Sequence, residues 1–595
     1  TKQQILERYL NTVFFGQNSY GIGAAAETYF GKSVQQLSFI EAAFLAGLVQ
    51  APSSYDPIIN PERSRTRFLQ VLDRLEADEL LTEQERIEVE ESFVLPERVR
   101  RRAERATERT YYTEALRDFL LNRSDILGDT YEERYTLLHR GGLSIHTTLD
   151  PVLQAEAERA RNELPDNTAG IDAALTSLDT KTGAIRAMVG GKGFVPGQNE
   201  VNLALAPSQT GSSIKLFILA ATLQAGATPD DLVDGILPCR LPNVGNPFAP
   251  FFDITSGVSG GVDTIRRHTA RSINCAYARM SQIVGLNRMV DTVYRMAKNP
   301  YLYPGQPAGE REPIQPFASF ATGANEMSTL DMASGLQSIA NEGTHYEPYY
   351  VDYIDDAFGN RLHTHFDPGN EVLDRQVALT AIDTLKGVLT GGTARRELAD
   401  FASRRPAIGK TGTQQRNWTA FFVGATPELT TAVMVRDPDR YTPMRGIDEF
   451  AADLSAAGAA GVQGGTYPAR IWGAYMENIG LEQFEFTDWD RPDSQPRGPA
   501  RLYLPGNECL YQIVGYEAPV TVPPEVPAEP EAPPAPEGFR RPEATPSPAA
   551  PPPSTTPPGS TVPPTTVPVV TLPPVPIYGA VPSGTTIPPD VLDPN

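Results

Sequence analysis

At 595 residues the chain is too long for one hydrophobic core, and its 40% hydrophobic and 21% charged residues suit a folded body divided into domains. A formal charge of -22 argues against general nucleic-acid binding, which needs a basic surface. Neither the three cysteines (Cys239, Cys275, Cys509) nor the six histidines fall at metal-ligand spacings, so no metal or other cofactor is expected. The cysteines allow one bridge with one thiol left over, and the pairing stays open. No run of 18 apolar residues reads as a transmembrane helix. Thr1 leads directly into a helical pattern (Ile5, Leu6, Tyr9, Leu10) with no signal-peptide signature, so the chain reads as truncated at its N-terminus.

Residues 1–95 predict a mostly helical piece, with apolar positions at helical spacing through Ile5–Leu10 and Leu37–Leu48 around a Gly-rich turn, Gly16–Gly23. Pro52 and Pro57 interrupt it, and Asn60-Pro61-Glu62 opens a charged helix to Glu79. Residues 96–140, rich in Arg and Glu, predict a solvated helical linker docked on a neighbour through Tyr111-Tyr112 and Phe119-Leu120. Gly141–Asp150 alternates as a strand and Pro151–Ala160 opens a helix. Ala173–Met188 predicts a hairpin whose turn contains Lys181-Thr182-Gly183. Ser212–Leu223 is an apolar helix that starts with a serine three places before a lysine, Ser212 and Lys215, which puts hydroxyl and amine on one face. Residues 491–516 close the folded part, and residues 517–595, holding about half of the 55 prolines, cannot offset the entropy of ordering and predict a disordered, polyproline-like tail.

The segment KQQILERYLNTVFFGQNSYGIGAAAETYFGK, continued by LSFIEAAFLAGLVQAPSSYDPIINPERSRTRFLQVLDRL, resembles the second half of the glycosyltransferase domain of class A penicillin-binding proteins. The resemblance implies a lysozyme-like helical domain of which 1–95 is the C-terminal part. It places Glu7 in the donor and acceptor groove region, while Arg67-Phe68 departs from the adjacent arginines of the family pattern. The two catalytic glutamates of the family belong to motifs upstream of Thr1, so this chain is expected not to polymerise glycan.

Two further motifs follow Ser212-x-x-Lys215. Ser272-Ile273-Asn274 comes 60 positions on, and Lys410-Thr411-Gly412-Thr413 another 138 positions on, before two strand-like runs, Trp418–Gly424 and Thr430–Val435. Residues 141–490 thereby resemble the transpeptidase domain of class A penicillin-binding proteins, a serine β-lactamase-like α/β fold with an antiparallel sheet flanked by helices. The resemblance implies Ser212 as nucleophile, Lys215 as its base and Ser272 as proton relay. Asn274 would orient Lys215 and hold the donor amide. Lys410 would supply positive charge, Thr411 and Thr413 would bind a terminal carboxylate, and Gly412 would let the ligand backbone approach. The N–H groups of Ser212 and Thr413 would bind the oxyanion. Cys275, a small residue at a helix start, reads as packing, and Trp418 reads as core.

The activity so implied is D,D-transpeptidation of peptidoglycan stem peptides ending in D-Ala-D-Ala, with β-lactams acylating the same serine. Lipid-linked glycan would be a substrate of the full-length protein, wall-synthesis proteins its partners, and an N-terminal anchor would hold the domain outside the cytoplasmic membrane. Hydrolysis by the same fold (a D,D-carboxypeptidase or β-lactamase) and a non-catalytic β-lactam sensor or scaffold are the alternatives.

Overall fold

Capping signals start the helices of the first 95 residues. Ser38 and Thr82 accept from the backbone N–H three residues on, and Glu41 and Glu85 return the bond, so Phe39–Leu48 and Glu83–Ser92 begin at capping boxes. With Ile22–Phe30 and Pro61–Ala77 they enclose a separate small core containing Phe15, Tyr29, Phe44, Leu48, Phe68 and Leu72, while the first helix, Lys2–Thr12, is largely exposed. The Tyr-Phe-Gly-Lys element has a local cause: the Tyr29 hydroxyl donates to Phe15 O, Gly31 ends its helix at φ 67°, and Lys32 pairs with Glu41 at 2.8 Å. Glu7 lies on the exposed face of the first helix. These positions come from a computed structural model that describes residues 1–17, 19–97, 109–243, 249–307, 310–479, 488–495 and 497–504. The expected tail, 517–595, and the end of the closing segment, 505–516, lie outside the described residues, as do 98–108 of the expected linker.

The described remainder of that linker differs from a solvated helix. Thr110 caps the helix Tyr111–Asp118, a π-turn follows over Phe119–Arg123, and Tyr111, Tyr112, Ala115, Phe119 and Leu120 are buried. Tyr112 Oη donates to Tyr350 O at 3.1 Å, and Tyr111 Oη lies 3.1 Å from the carbonyl oxygens of Gly193 and Asn199. The four docking residues outweigh the charge pattern because burying large aromatic and aliphatic side chains stabilises by about 2 kcal/mol each.

The larger part is built on one five-stranded antiparallel sheet in the order Ile408–Thr413, Thr419–Ala425, Leu429–Arg436, Asp172–Asp179, Ile185–Val189. The central strands are buried on both faces. Helix Thr329–Ala340 packs on one face, with Thr329 Oγ1 2.7 Å from Thr176 Oγ1, and helices Pro151–Arg161 and Tyr467–Asn478 pack on the sheet as well. The sheet flanked by helices is the mixed α/β fold expected from the sequence. Lys181-Thr182-Gly183 sits in the turn between Asp172–Asp179 and Ile185–Val189, with Gly183 at φ 76°. Helix Lys215–Gln224 is buried along its length from Lys215 to Leu223 and packs against helices Asn274–Val284, Leu286–Met296 and Arg375–Thr390. The strand that carries Lys410 is an edge strand, and it faces the start of that helix.

Candidate active site

The turn Gly211–Ile214 is 3-10 in form and runs into the helix that begins at Lys215. In a 3-10 turn residues i and i+3 eclipse, so Ser212 and Lys215 leave the same side. The two adjacent serines are not equivalent. Ser213 is fully buried and donates from Oγ to Thr210 O at 2.8 Å, whereas Ser212 is half-buried and its hydroxyl has no hydrogen bond among the described residues.

Lys215 points elsewhere than its spacing suggests. Its Nζ donates to Ser272 O at 2.7 Å and Asn274 Oδ1 at 2.7 Å and lies 3.4 Å from Ser272 Oγ, and no hydrogen bond joins it to Ser212 among the described residues. The acceptors come from an unusual connection. Ser272 ends the helix Ile265–Arg271 in the left-handed region, φ 58° and ψ 42°, a place normally given to glycine, and Ile273 is extended before the helix Asn274–Val284 begins. A left-handed non-glycine residue costs about 1–2 kcal/mol, and here it turns both oxygens of Ser272 toward the lysines.

Lys215 and Lys410 are both fully buried. Lys410 Nζ donates to Ser272 Oγ at 2.7 Å and to Thr411 O at 3.0 Å. Burial pushes the Lys410 amine down to about 7. Burial first, and the charge of Lys410 second, hold the Lys215 amine well below the usual lysine range. Both causes favour the neutral amine, the form that can accept a proton, and Ser272 and Asn274 hold it in place.

Glycines let the nucleophile turn lie directly on the edge strand. Gly211 has φ 54°, and a Cβ there would stand 2.6 Å from the Thr413 carbonyl carbon and 2.7 Å from its nitrogen. A Cβ on Gly412 would overlap Thr210 O and stand 2.9 Å from Ser213 Oγ. Glycine at 412 therefore lets the nucleophile turn seat directly against the strand. Gln414 N–H donates to Thr419 O, and alternation along the strand turns the Thr413 N–H to the open edge beside Ser212. The Ser212 N–H lies in a first turn, where no intrahelical partner exists.

The threonine hydroxyls face other partners. Thr411 Oγ1 is 2.6 Å from Thr393 Oγ1, and Thr413 Oγ1 accepts from Gly464 N–H at 3.0 Å, leaving its own proton free. Thr393 and Gly464 lie outside the three motifs, and Thr393 stood in the sequence only within the family-like run Gly391-Gly392-Thr393-Ala394. Tyr277 was legible in principle: three residues after Asn274 it shares that helix face, and its ring lies 5.3 Å from Lys215 Nζ. Trp418 is half-buried 5.5 Å from the Tyr441 ring. Cys275 is bonded to Cys239, so it is a covalent tether and not simply packing.

Comparison with known proteins shows the family. The family described as "Transglycosylase" matches residues 1–76, and the "Penicillin binding protein transpeptidase domain" matches residues 173–455. Penicillin-binding protein 1A of Mycobacterium tuberculosis is 30% identical over 498 residues, covering 80% of this chain and 56% of that protein. The Mycolicibacterium smegmatis protein of the same name is 29% identical over 508 residues, covering 83% and 60%. The chain thus spans less than two thirds of the length of these relatives. The solved structure of the PonA1 protein from Mycobacterium tuberculosis in complex with penicillin V is similar at TM-score 0.51 and 26% identity, covering 65% of this chain and 96% of that one. Penicillin-binding protein 1A from Haemophilus influenzae shares the fold at TM-score 0.57 and 22% identity, covering 82% and 87%. With a transpeptidase domain behind part of a transglycosylase domain, this chain belongs to the class A penicillin-binding proteins.

Proposed function

We propose that the chain is a serine D,D-transpeptidase that cross-links peptidoglycan stem peptides ending in D-Ala-D-Ala, and that β-lactams acylate the same serine. The observation that carries this reading is the buried amine of Lys215, one turn from Ser212, held by Ser272 and Asn274 and kept well below the usual lysine range by burial and by Lys410. Ser212 Oγ attacks the carbonyl of the penultimate D-Ala and Lys215 Nζ takes its proton. The oxyanion lies between the N–H groups of Ser212 and Thr413. Ser272 hands a proton to the departing D-Ala nitrogen as the C–N bond breaks, and draws one from the lysines on either side. Lys410 supplies positive charge beside the terminal carboxylate, which the hydroxyls of Thr411 and Thr413 bind. An acceptor amine then attacks the ester and returns Ser212 to its free form. Asn274 Nδ2, without a hydrogen bond among the described residues, holds the donor amide.

Transfer to an amine is preferred over hydrolysis by a carboxypeptidase or β-lactamase because part of a glycan-polymerising domain precedes the site. The Cys239–Cys275 bridge supports a location outside the cytoplasmic membrane, where disulfides persist.

Replacing Ser212 by Ala abolishes covalent labelling by a fluorescent penicillin, and labelling that persists overturns the assignment. Incubation with a D-Ala-D-Ala donor and an acceptor amine yields the cross-linked product. Hydrolysed donor alone would favour the carboxypeptidase, and acylation without turnover would favour the sensor.

A further inference from the structure

Asn274 supplies one of the acceptors that hold Lys215, and it starts the helix Asn274–Val284. The chain before it is left-handed at Ser272 and extended at Ile273, and its backbone bonds, Ser272 N–H to Thr269 O and Ile273 N–H to His268 O, tie it to the preceding helix. A covalent constraint is added one residue later. Cys275 is bonded to Cys239, with Cα atoms 6.0 Å apart, and both residues are buried. Cys239 opens the strand Cys239–Pro242, which pairs with Phe251–Ile254 in a two-stranded ribbon apart from the main sheet.

The same helix meets this ribbon again at its far end, where Gln282 Nε2 donates to Pro242 O at 3.0 Å. Between the two, Arg279 donates to Asp234 O at 2.6 Å and pairs with its carboxylate at 3.1 Å. The segment that leaves the ribbon returns to the site: a Cβ on Gly257 would stand 3.0 Å from Asn274 Nδ2. The helix, the ribbon and the segment over Asn274 form one unit, and the covalent bond lies at the end nearest the lysine.

We propose that the Cys239–Cys275 bridge is a positioning element of the acylation site: by pinning the first turn of the helix Asn274–Val284 to the Cys239–Pro242 strand, it holds Asn274 Oδ1 where it aims Lys215. The inference rests on the reading of Ser212 as the acylated residue. Misplacing a catalytic group by about 1 Å costs up to about 100-fold in rate, and loosening Asn274 also opens the buried amine to water. Around that amine stand Lys410 from the edge strand and Tyr277 and Asn274 from the tethered helix.

The test uses the chain with Cys509 replaced by Ala as the bridged reference, beside Cys239→Ala and the apolar pair Cys239→Val/Cys275→Ala in that background. Each protein is followed by thermal midpoint and by the second-order rate of acylation with a fluorescent penicillin from pH 5 to 10. The unbridged proteins are expected to fold, to label at Ser212 on the order of tenfold more slowly, and to show the acid limb of the rate at higher pH. A lower midpoint with unchanged rate and unchanged limb would overturn the proposal, since the bond would then serve stability alone. If Cys239→Ala does not fold, the pair that refills the buried volume decides by the same readouts. Failure of both to fold would also overturn it, because the fold and not the site would need the bond. Absence of Ser212 labelling in the bridged reference would instead defeat the functional reading.

Discussion

The amines of Lys215 and Lys410 converge on one hydroxyl, with Ser272 Oγ 3.4 Å from the first and 2.7 Å from the second. Two buried ammonium groups this close repel, and the penalty favours at least one neutral amine. In the proposed mechanism that relationship makes Lys215 the base and Lys410 an electrostatic control on it.

Replacing Lys410 by Met removes the second cause that lowers the Lys215 amine, leaving burial alone. The acid limb of penicillin acylation is expected to move to higher pH. The plateau rate should fall about 100-fold, because Ser272 loses its donor. Rates of labelling between pH 5 and 10 check both, and a limb that stays in place counts against the coupling.

Lys215→Arg keeps a long cationic side chain but places a group that does not deprotonate beside Ser212. Acylation is expected to drop by about 10²–10⁴-fold, the usual worth of a general base. A thermal melt alongside separates this from unfolding.

Burial of Lys410 ties stability to pH. Its folded-state value of about 7 lies below the roughly 10.4 of an unfolded lysine, so the unfolded chain binds more protons between those limits. This contribution is fully present above the unfolded value and is lost as pH falls toward 7, at up to about 1.4 kcal/mol per pH unit. Below 7 both states are protonated and the slope from this group vanishes. Urea midpoints from pH 7 to 9.5 should therefore rise more steeply in the native chain than in Lys410→Met.

A methyl group on Gly412 has no room beside Thr210 and Ser213. Gly412→Ala is expected to cost about 1–3 kcal/mol and to slow labelling by separating the nucleophile turn from the Thr413 N–H. Gly391→Ala, whose Cβ would meet nothing within 4 Å, should change neither stability nor labelling rate.

What the sequence by itself determined is local. Apolar spacing after Ser212 gives a buried helix and alternation on either side of Asp179–Gly183 gives a hairpin, because periodicity acts over a few residues. Ser212, Lys215, Ser272, Asn274 and Lys410 were grouped by the resemblance of three short motifs to a family, not by spacing. Only the tertiary structure decided the rest. The bond of Lys215 to the Ser272 carbonyl, the pairing of Cys239 with Cys275, the covering of Gly412 by the nucleophile turn, the hydroxyl contact of Thr393 with Thr411 and the partners of the Tyr111 and Tyr112 hydroxyls each join positions far apart in the chain. Such pairs meet only once the sheet and its helices have packed, and no pattern in either partner alone records the distance between them.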